Sequence, residues 1–242
     1  MRKSLQWAGL SLLAMYMLLP WILTRILNIG VFRRGRKDGR IAFTFDDGPD
    51  PLYTPKLLTL LKKHEVKATF FVLGHKANQH PDIIRRIHEE GHQIGIHNYT
   101  HRPNWLMMPW TTTNFHLKKT SAIIESITGT KPYYYRPPWG IINIYDLFFR
   151  KRYEIVLWSM MPGDWKRDVS RSRLKGLLLR NIKNGSVIVL HDSGDTIGSD
   201  WDAPKYMMIA LDEVLIDIKQ RGLHCVRIDE MVGNADVEDR IR

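Results

Sequence analysis

The chain has 242 residues, a formal net charge of +11 and a single cysteine. This length suits one large α/β domain, and the lone Cys225 excludes an internal disulfide framework and a cysteine-based zinc site. Residues 1–40 hold eight Lys or Arg against one Asp, so seven of the eleven excess charges sit there; no nucleic-acid partner is expected, because that would need a basic surface on the folded domain itself.

From Ser4 to Thr24 no residue is charged, and this Leu- and Met-rich run is long enough to span a bilayer as a helix. Trp7 and Trp21 fall near its ends, Arg2 and Lys3 precede it, and no small-residue cleavage site comes after it. Residues 1–30 are therefore expected to be an uncleaved, single-pass transmembrane helix that holds the protein at the cell membrane, with the lipid bilayer as partner. Residues 31–40 form a basic linker. Arg25, Arg33, Arg34, Arg36 and Lys37 favour a cytoplasmic position for the rest of the chain, whereas the short basic N-terminal tail favours the opposite orientation.

Beyond Arg40 strand-like and helix-like stretches alternate. Strands are expected at 41–45, 68–73, 93–97, 133–136, 154–158, 186–191 and 223–228, and helices at 54–63, 81–90, 113–128, 141–151, 170–183 and 204–221. Gly91, Gly129, Gly185 and Gly222 stand one to four residues before a strand, as helix-ending glycines do. Seven strands alternating with helices predict a parallel α/β fold, either a barrel or an open sheet, with its active site at the C-terminal strand ends.

Five of the expected strands run into chemically capable residues at that end: Asp46-Asp47, His97 to His101, Arg136, Gly163-Asp164-Trp165 and His191-Asp192. Two adjacent carboxylates repel unless a cation holds one, so Asp46-Asp47 points to a metal ligand beside a free base, or to a capped turn with no chemistry. His97 and His101, four apart, would offer two imidazoles from one helical turn; with Asp47 they make a His-His-Asp set with open positions, as in catalytic zinc sites. Asp46 could then take a proton from water, and His191 could return one to a leaving group if Asp164 or Asp192 kept it charged. Arg136 could hold Asp46 through a bidentate pair, and Trp139 and Trp165 suit the flat faces of sugars.

Thr44-Phe45-Asp46-Asp47-Gly48-Pro49, His97-Asn98-Tyr99-Thr100-His101, Arg136-Pro137-Pro138-Trp139-Gly140, Gly163-Asp164-Trp165 and Leu190-His191, in this order, resemble the five motifs of the polysaccharide deacetylases, the NodB-homology type of carbohydrate esterase family 4. The likeness runs from about Ile41 to Ile228, giving a domain at 41–230 and a C-terminal tail at 231–242. The resemblance implies a distorted (β/α) barrel and a divalent metal on Asp47, His97 and His101, zinc first, with cobalt, nickel or manganese as alternatives. It implies that Asp46 is the base, His191 the acid, that Arg136 orients Asp46 and Asp164 tunes His191. The Trp139 backbone N–H would stabilise the oxyanion, and Leu190 would line a pocket for the acetyl methyl group.

The implied reaction is removal of N-acetyl groups from amino sugars of peptidoglycan or a chitin-like oligosaccharide, in a domain facing outside the cytoplasm. Hydrolysis of another small or cyclic amide, or glycan binding without catalysis, are the competing readings. Asn98 replaces the family's usual Ser or Thr, Met161 stands where an Asp is common, and the loops 103–110 and 193–203 look specific to this branch.

Overall fold

The seven stretches that the sequence marks as strands all pair, and every pair between strands is parallel. In the computed structural model, which describes residues 2–233, a helix α1 (Arg2–Trp21) precedes β1 (Arg40–Asp46). There follow α2 (Thr54–Lys63), β2 (Thr69–Val72), α3 (Gly74–Gln79), α4 (Pro81–Glu89) and β3 (Gln93–Ile96). Next come the short turn α5 (Pro109–Thr111), α6 (Lys118–Thr128), β4 (Tyr134–Tyr135), β5 (Glu154–Ile155), α7 (Arg167–Ser172) and α8 (Leu174–Asn181). The described chain closes with β6 (Val187–His191), α9 (Ala203–Gln220), β7 (His224–Cys225) and α10 (Ile228–Val232). The tail predicted over 231–242 lies outside the described residues from 234 onward.

The strand order is β5-β4-β3-β2-β1-β6, with β7 paired to the start of β1. Beyond β5 the chain reaches β6, where Ser159 N–H donates to Val187 O and Val189 N–H to Met160 O, so the sheet curls round on itself as a distorted barrel. β1 runs through the centre with Ile41, Phe43 and Phe45 fully buried, each contributing about 1.5–3 kcal/mol by leaving water. Helices cover the outside through apolar residues at helical spacing, such as Leu57, Leu58 and Leu61 on α2 and Met207, Leu211, Val214 and Ile218 on α9.

The register carries function. Asp46 pairs with His191 across β1 and β6, and Ile96 pairs with Tyr135, which brings His97 beside Arg136. Gly91, Gly129, Gly185 and Gly222 all adopt positive φ; at Gly185 a side chain would also strike the Gly35 carbonyl.

The N-terminal segment differs from the expected membrane span. Among the described residues no helix is long and apolar enough to cross a membrane. α1 starts on Arg2 and Lys3, includes Gln6, Ser11 and Tyr16, and gives way after Trp21 to a π-helical turn at Ile22–Ile26. The segment is instead tied to the domain: Tyr16 Oη donates to Met107 O at 3.2 Å, and Arg25 stacks on the Trp158 ring at 4.3 Å. Residues 31–40 also join the sheet, with Phe32 N–H donating to Ile155 O and Gly35 N–H to Gly185 O.

Candidate active site

β1 ends in a kink. Asp47 takes a left-handed backbone (φ 74°), which non-glycine residues adopt at a cost of about 1–3 kcal/mol, so two consecutive acids reach one cavity despite the alternation of a strand. That cavity, of about 310 Å³ at the C-terminal strand ends, is lined by Asp46, Asp47, His97, His101, Trp139, Trp158, Met161, Trp165, His191 and Thr196 to Ser199. A second cleft of about 460 Å³, at the N-terminal ends of β3 and β4 and lined in part by His92, Tyr134 and Arg227, holds none of the candidate residues.

Asp46 is buried and accepts one N–H from Arg136 Nη1 at 2.7 Å. The expected bidentate pair does not form; the fully buried guanidinium places three of its four other N–H donors on Thr44 Oγ1, Val156 O and Leu157 O. Phe71 covers its face at 4.1 Å. Arg136 thus anchors one oxygen of Asp46 and ties β1 to the chain after β5.

His97 and His101 are adjacent, but not on a helix. Asn98 turns the chain with φ 65°, a conformation that Asn tolerates better than β-branched Thr, and the segment to His101 is a bend. The Asn98 side chain donates to Arg102 O and Asn104 Oδ1 and accepts from Tyr135 Oη, which fixes the loop. The ring nitrogens Nε2 of His97 and His101 lie 3.4 and 3.3 Å from Asp47 Oδ1.

These residues fit a metal ion. Asp47 Oδ1 is buried without a hydrogen-bond partner, and one donor atom from each of the three residues lies within 4.8 Å of the others. His97 Nδ1 faces Arg136 O at 2.7 Å, so it carries the proton and leaves Nε2 as the free donor. Burial pushes His101 down to about 4 against the pull of Asp47, which keeps the ring neutral, as a ligand must be. Burial opposes ionisation of Asp47, but the facing His97, His101 and His191 prevail and hold its carboxyl well below the usual range.

His191 is built for the opposite state. Both oxygens of the buried Asp164 serve it: Oδ1 lies 3.0 Å from Nδ1 and Oδ2 accepts its backbone N–H at 2.7 Å. Burial lowers the imidazole pKa, but Asp164, then Asp47 and Asp46, outweigh it and raise the group to about 9. Asp192, the other partner considered from the sequence, faces away and accepts from Thr54 Oγ1.

Trp139, in a left-handed turn (φ 55°), sets its ring 4.1 Å from that of His101, and Trp165 packs edge-on against His191 at 5.3 Å. Leu190 is fully buried in the hydrophobic core, and Trp158, Met161 and Ile197 supply apolar wall instead. Sequence reasoning missed Trp158 and Thr196. The only available signal for Thr196 was its place in the flagged loop, because its partner Asp47 lies 149 residues away.

Comparison with known proteins identifies the family. The family model for polysaccharide deacetylases matches residues 33–153. A peptidoglycan-N-acetylglucosamine deacetylase of Bacillus cereus is 38% identical over 79% of this chain and 67% of its own length. The peptidoglycan-N-acetylmuramic acid deacetylase PdaA of Bacillus subtilis is 33% identical over 81% of this chain and 72% of its own. Of the longer peptidoglycan-N-acetylglucosamine deacetylase PgdA of Listeria monocytogenes, 34% identical, the chain spans 40%. The crystal structure of the Bc1960 peptidoglycan N-acetylglucosamine deacetylase superposes with a TM-score of 0.76 at 33% identity, covering 86% of this chain and 95% of that one. With half of its length matched by the family model and relatives of this identity along most of the rest, the chain belongs to the polysaccharide deacetylase family.

Proposed function

We propose that this protein removes N-acetyl groups from the amino sugars of peptidoglycan, with a divalent metal, zinc by its donor set, held by Asp47, His97 and His101. The observation that carries this reading is geometric: Asp47, His97 and His101 bring one donor atom each within 4.8 Å, and His191, its ring held by Asp164, lines the same cavity, an arrangement that sets the two kinds of imidazole in opposite states. His101 is held neutral at the metal position and His191 is held protonated across from it. A metal in this position, when bound, polarises the amide carbonyl and acidifies water.

The protein's own groups do the rest. Asp46 has one oxygen committed to Arg136 and the other free to accept the proton of the attacking water. His191 donates its proton to the departing sugar nitrogen, and Asp164 stabilises the charged ring before that transfer. Trp139 and Trp165 offer flat walls for the sugar. The backbone N–H of Trp139 is our candidate for the oxyanion donor.

The test is acetate release from peptidoglycan and from N-acetylglucosamine oligomers by the full chain, before and after chelation and zinc add-back. Release restored by zinc and abolished in Asp46→Asn and His191→Ala supports the proposal. Comparing peptidoglycan substrates with one of the two sugars already deacetylated assigns the reaction to N-acetylglucosamine or N-acetylmuramic acid. No release by the zinc-loaded protein from either substrate would move the assignment to another amide or to glycan binding.

From this substrate class we further propose that the domain faces outside the cytoplasm. A C-terminal reporter that works only there should be active, and its silence would overturn that placement.

A further inference from the structure

The loop 193–203 and Lys76 of α3 hold Asp47 from two sides. Thr196 Oγ1 donates to Asp47 Oδ2 at 2.7 Å, so one carboxylate oxygen is taken and the other, Oδ1, faces His97 and His101. The buried Lys76 Nζ lies 2.8 Å from the Asp47 carbonyl, 2.8 Å from Ser193 Oγ and within reach of Asp195 Oδ1. One ammonium therefore stabilises the left-handed kink at Asp47 and pins the loop that carries Thr196. The far end of the loop is fixed as well: Asp200 N–H donates to Trp165 O, and Arg167 Nε donates to Asp202 Oδ1. Between the two anchors, Ile197, Gly198 and Ser199 line the cavity.

A carboxylate with two free oxygens can chelate an ion through both or swing between them, and a hydroxyl on one oxygen removes that freedom. We propose that Thr196 is a positioning residue for the metal ligand Asp47, and that Lys76 sets its place by seating the loop 193–203. The loop that walls the substrate cavity is then also part of the support of the metal. Substitutions there act on metal affinity as well as on the substrate. This rests on the assignment of Asp47, His97 and His101 as metal ligands.

The experiment is zinc affinity of the full chain by competition with a chromophoric chelator, for the wild type, Thr196→Val, Thr196→Ser and Lys76→Met. Metal-free melting curves check that each variant is folded. Thr196→Val keeps the shape and deletes the donor, and is expected to weaken zinc binding about 10- to 100-fold, the usual cost of losing a group that orients a ligand. Thr196→Ser, which keeps the hydroxyl, should recover most of the affinity, and Lys76→Met should fall between the two. Wild-type affinity in Thr196→Val, or a Thr196→Ser as weak as Thr196→Val, overturns the role of Thr196. A wild type that binds no zinc overturns the metal-site assignment and this inference with it.

Discussion

Two imidazoles face each other across one cavity, each beside a buried carboxylate, and they end in opposite protonation states. His101 shares Asp47 with His97, gets a single 3.3 Å approach to one oxygen, and is pushed down to about 4 by burial. His191 has Asp164 to itself, on both oxygens, and is raised to about 9. The difference teaches that proximity to a carboxylate does not set the charge of a histidine. What decides is whether the attraction outweighs desolvation, and one acid divided between two rings falls short where one acid devoted to one ring succeeds. The site thus obtains a neutral donor and a proton carrier from the same side chain.

The comparison breaks most visibly if Asp164 is removed. Asp164→Asn deletes the main charge that keeps His191 protonated, so the acid is mostly neutral at pH 8. Activity is expected to fall by about 10²- to 10⁴-fold, the usual contribution of a general acid. In the wild type the alkaline limb of the kcat/KM profile should lie near 9. In the variant it should move to lower pH. A large loss of activity with an unmoved alkaline limb would mean that Asp164 acts on the fold and not on His191.

A smaller effect appears in stability. The folded pKa of His191, about 9, lies above the ordinary value of about 6.5, so its contribution is fully present below pH 6.5 and is lost as pH rises through 9. At about 1.36 kcal/mol per pH unit this amounts to about 3 kcal/mol at most. Denaturant unfolding of the metal-free wild type and of His191→Gln at pH 6 and pH 10 should show a gap that narrows by about that amount. A gap equal at both pH values would show that the Asp164–His191 pair carries no net charge-linked stability.

Legibility in the sequence obeys the same division between local and distant causes. Four of the seven strands were legible as runs that follow a helix-ending glycine, as Val187 to His191 follows Gly185, and the other three by their apolar pattern alone. The candidate residues of the cavity were legible because five strands lead into them. The helix α3 was not, because its sequence GHKANQ has no apolar period. It is held from outside, by Gly74 N–H on Asn98 O and by the Lys76 contacts. The helical reading of His97 to His101 failed on one residue, since spacing of four says nothing about the left-handed Asn98. Leu190 looked like cavity wall, but strand alternation turns it into the core while its neighbour His191 faces the cavity. The apolar run at the N-terminus reads as a membrane span by composition, but among the described residues no helix is long and apolar enough to cross one, and Tyr16 donates to Met107 O of the domain.

The N-terminal segment also bears on the neutral side of the cavity, where the smallest effect is expected. Arg25 lies 3.4 Å from Trp139 O and 3.3 Å from Gly140 O while stacking on Trp158. A side chain at Gly140 would collide with it, so this glycine leaves room for the guanidinium. Trp139 in turn covers His101 and helps keep that ring out of water. Arg25→Ala should loosen the Trp139 turn and let solvent reach His101, so the His101 pKa should rise from about 4 toward 6.5 as desolvation weakens. Proton NMR titration of the imidazoles in the metal-free protein would read that shift directly, alongside a fall of a few-fold in kcat/KM. His191, across the cavity and governed by Asp164, should keep its value. If both histidines moved together, the two environments would be coupled through the cavity as a whole, and the independence of the donor from the acid would have to be given up.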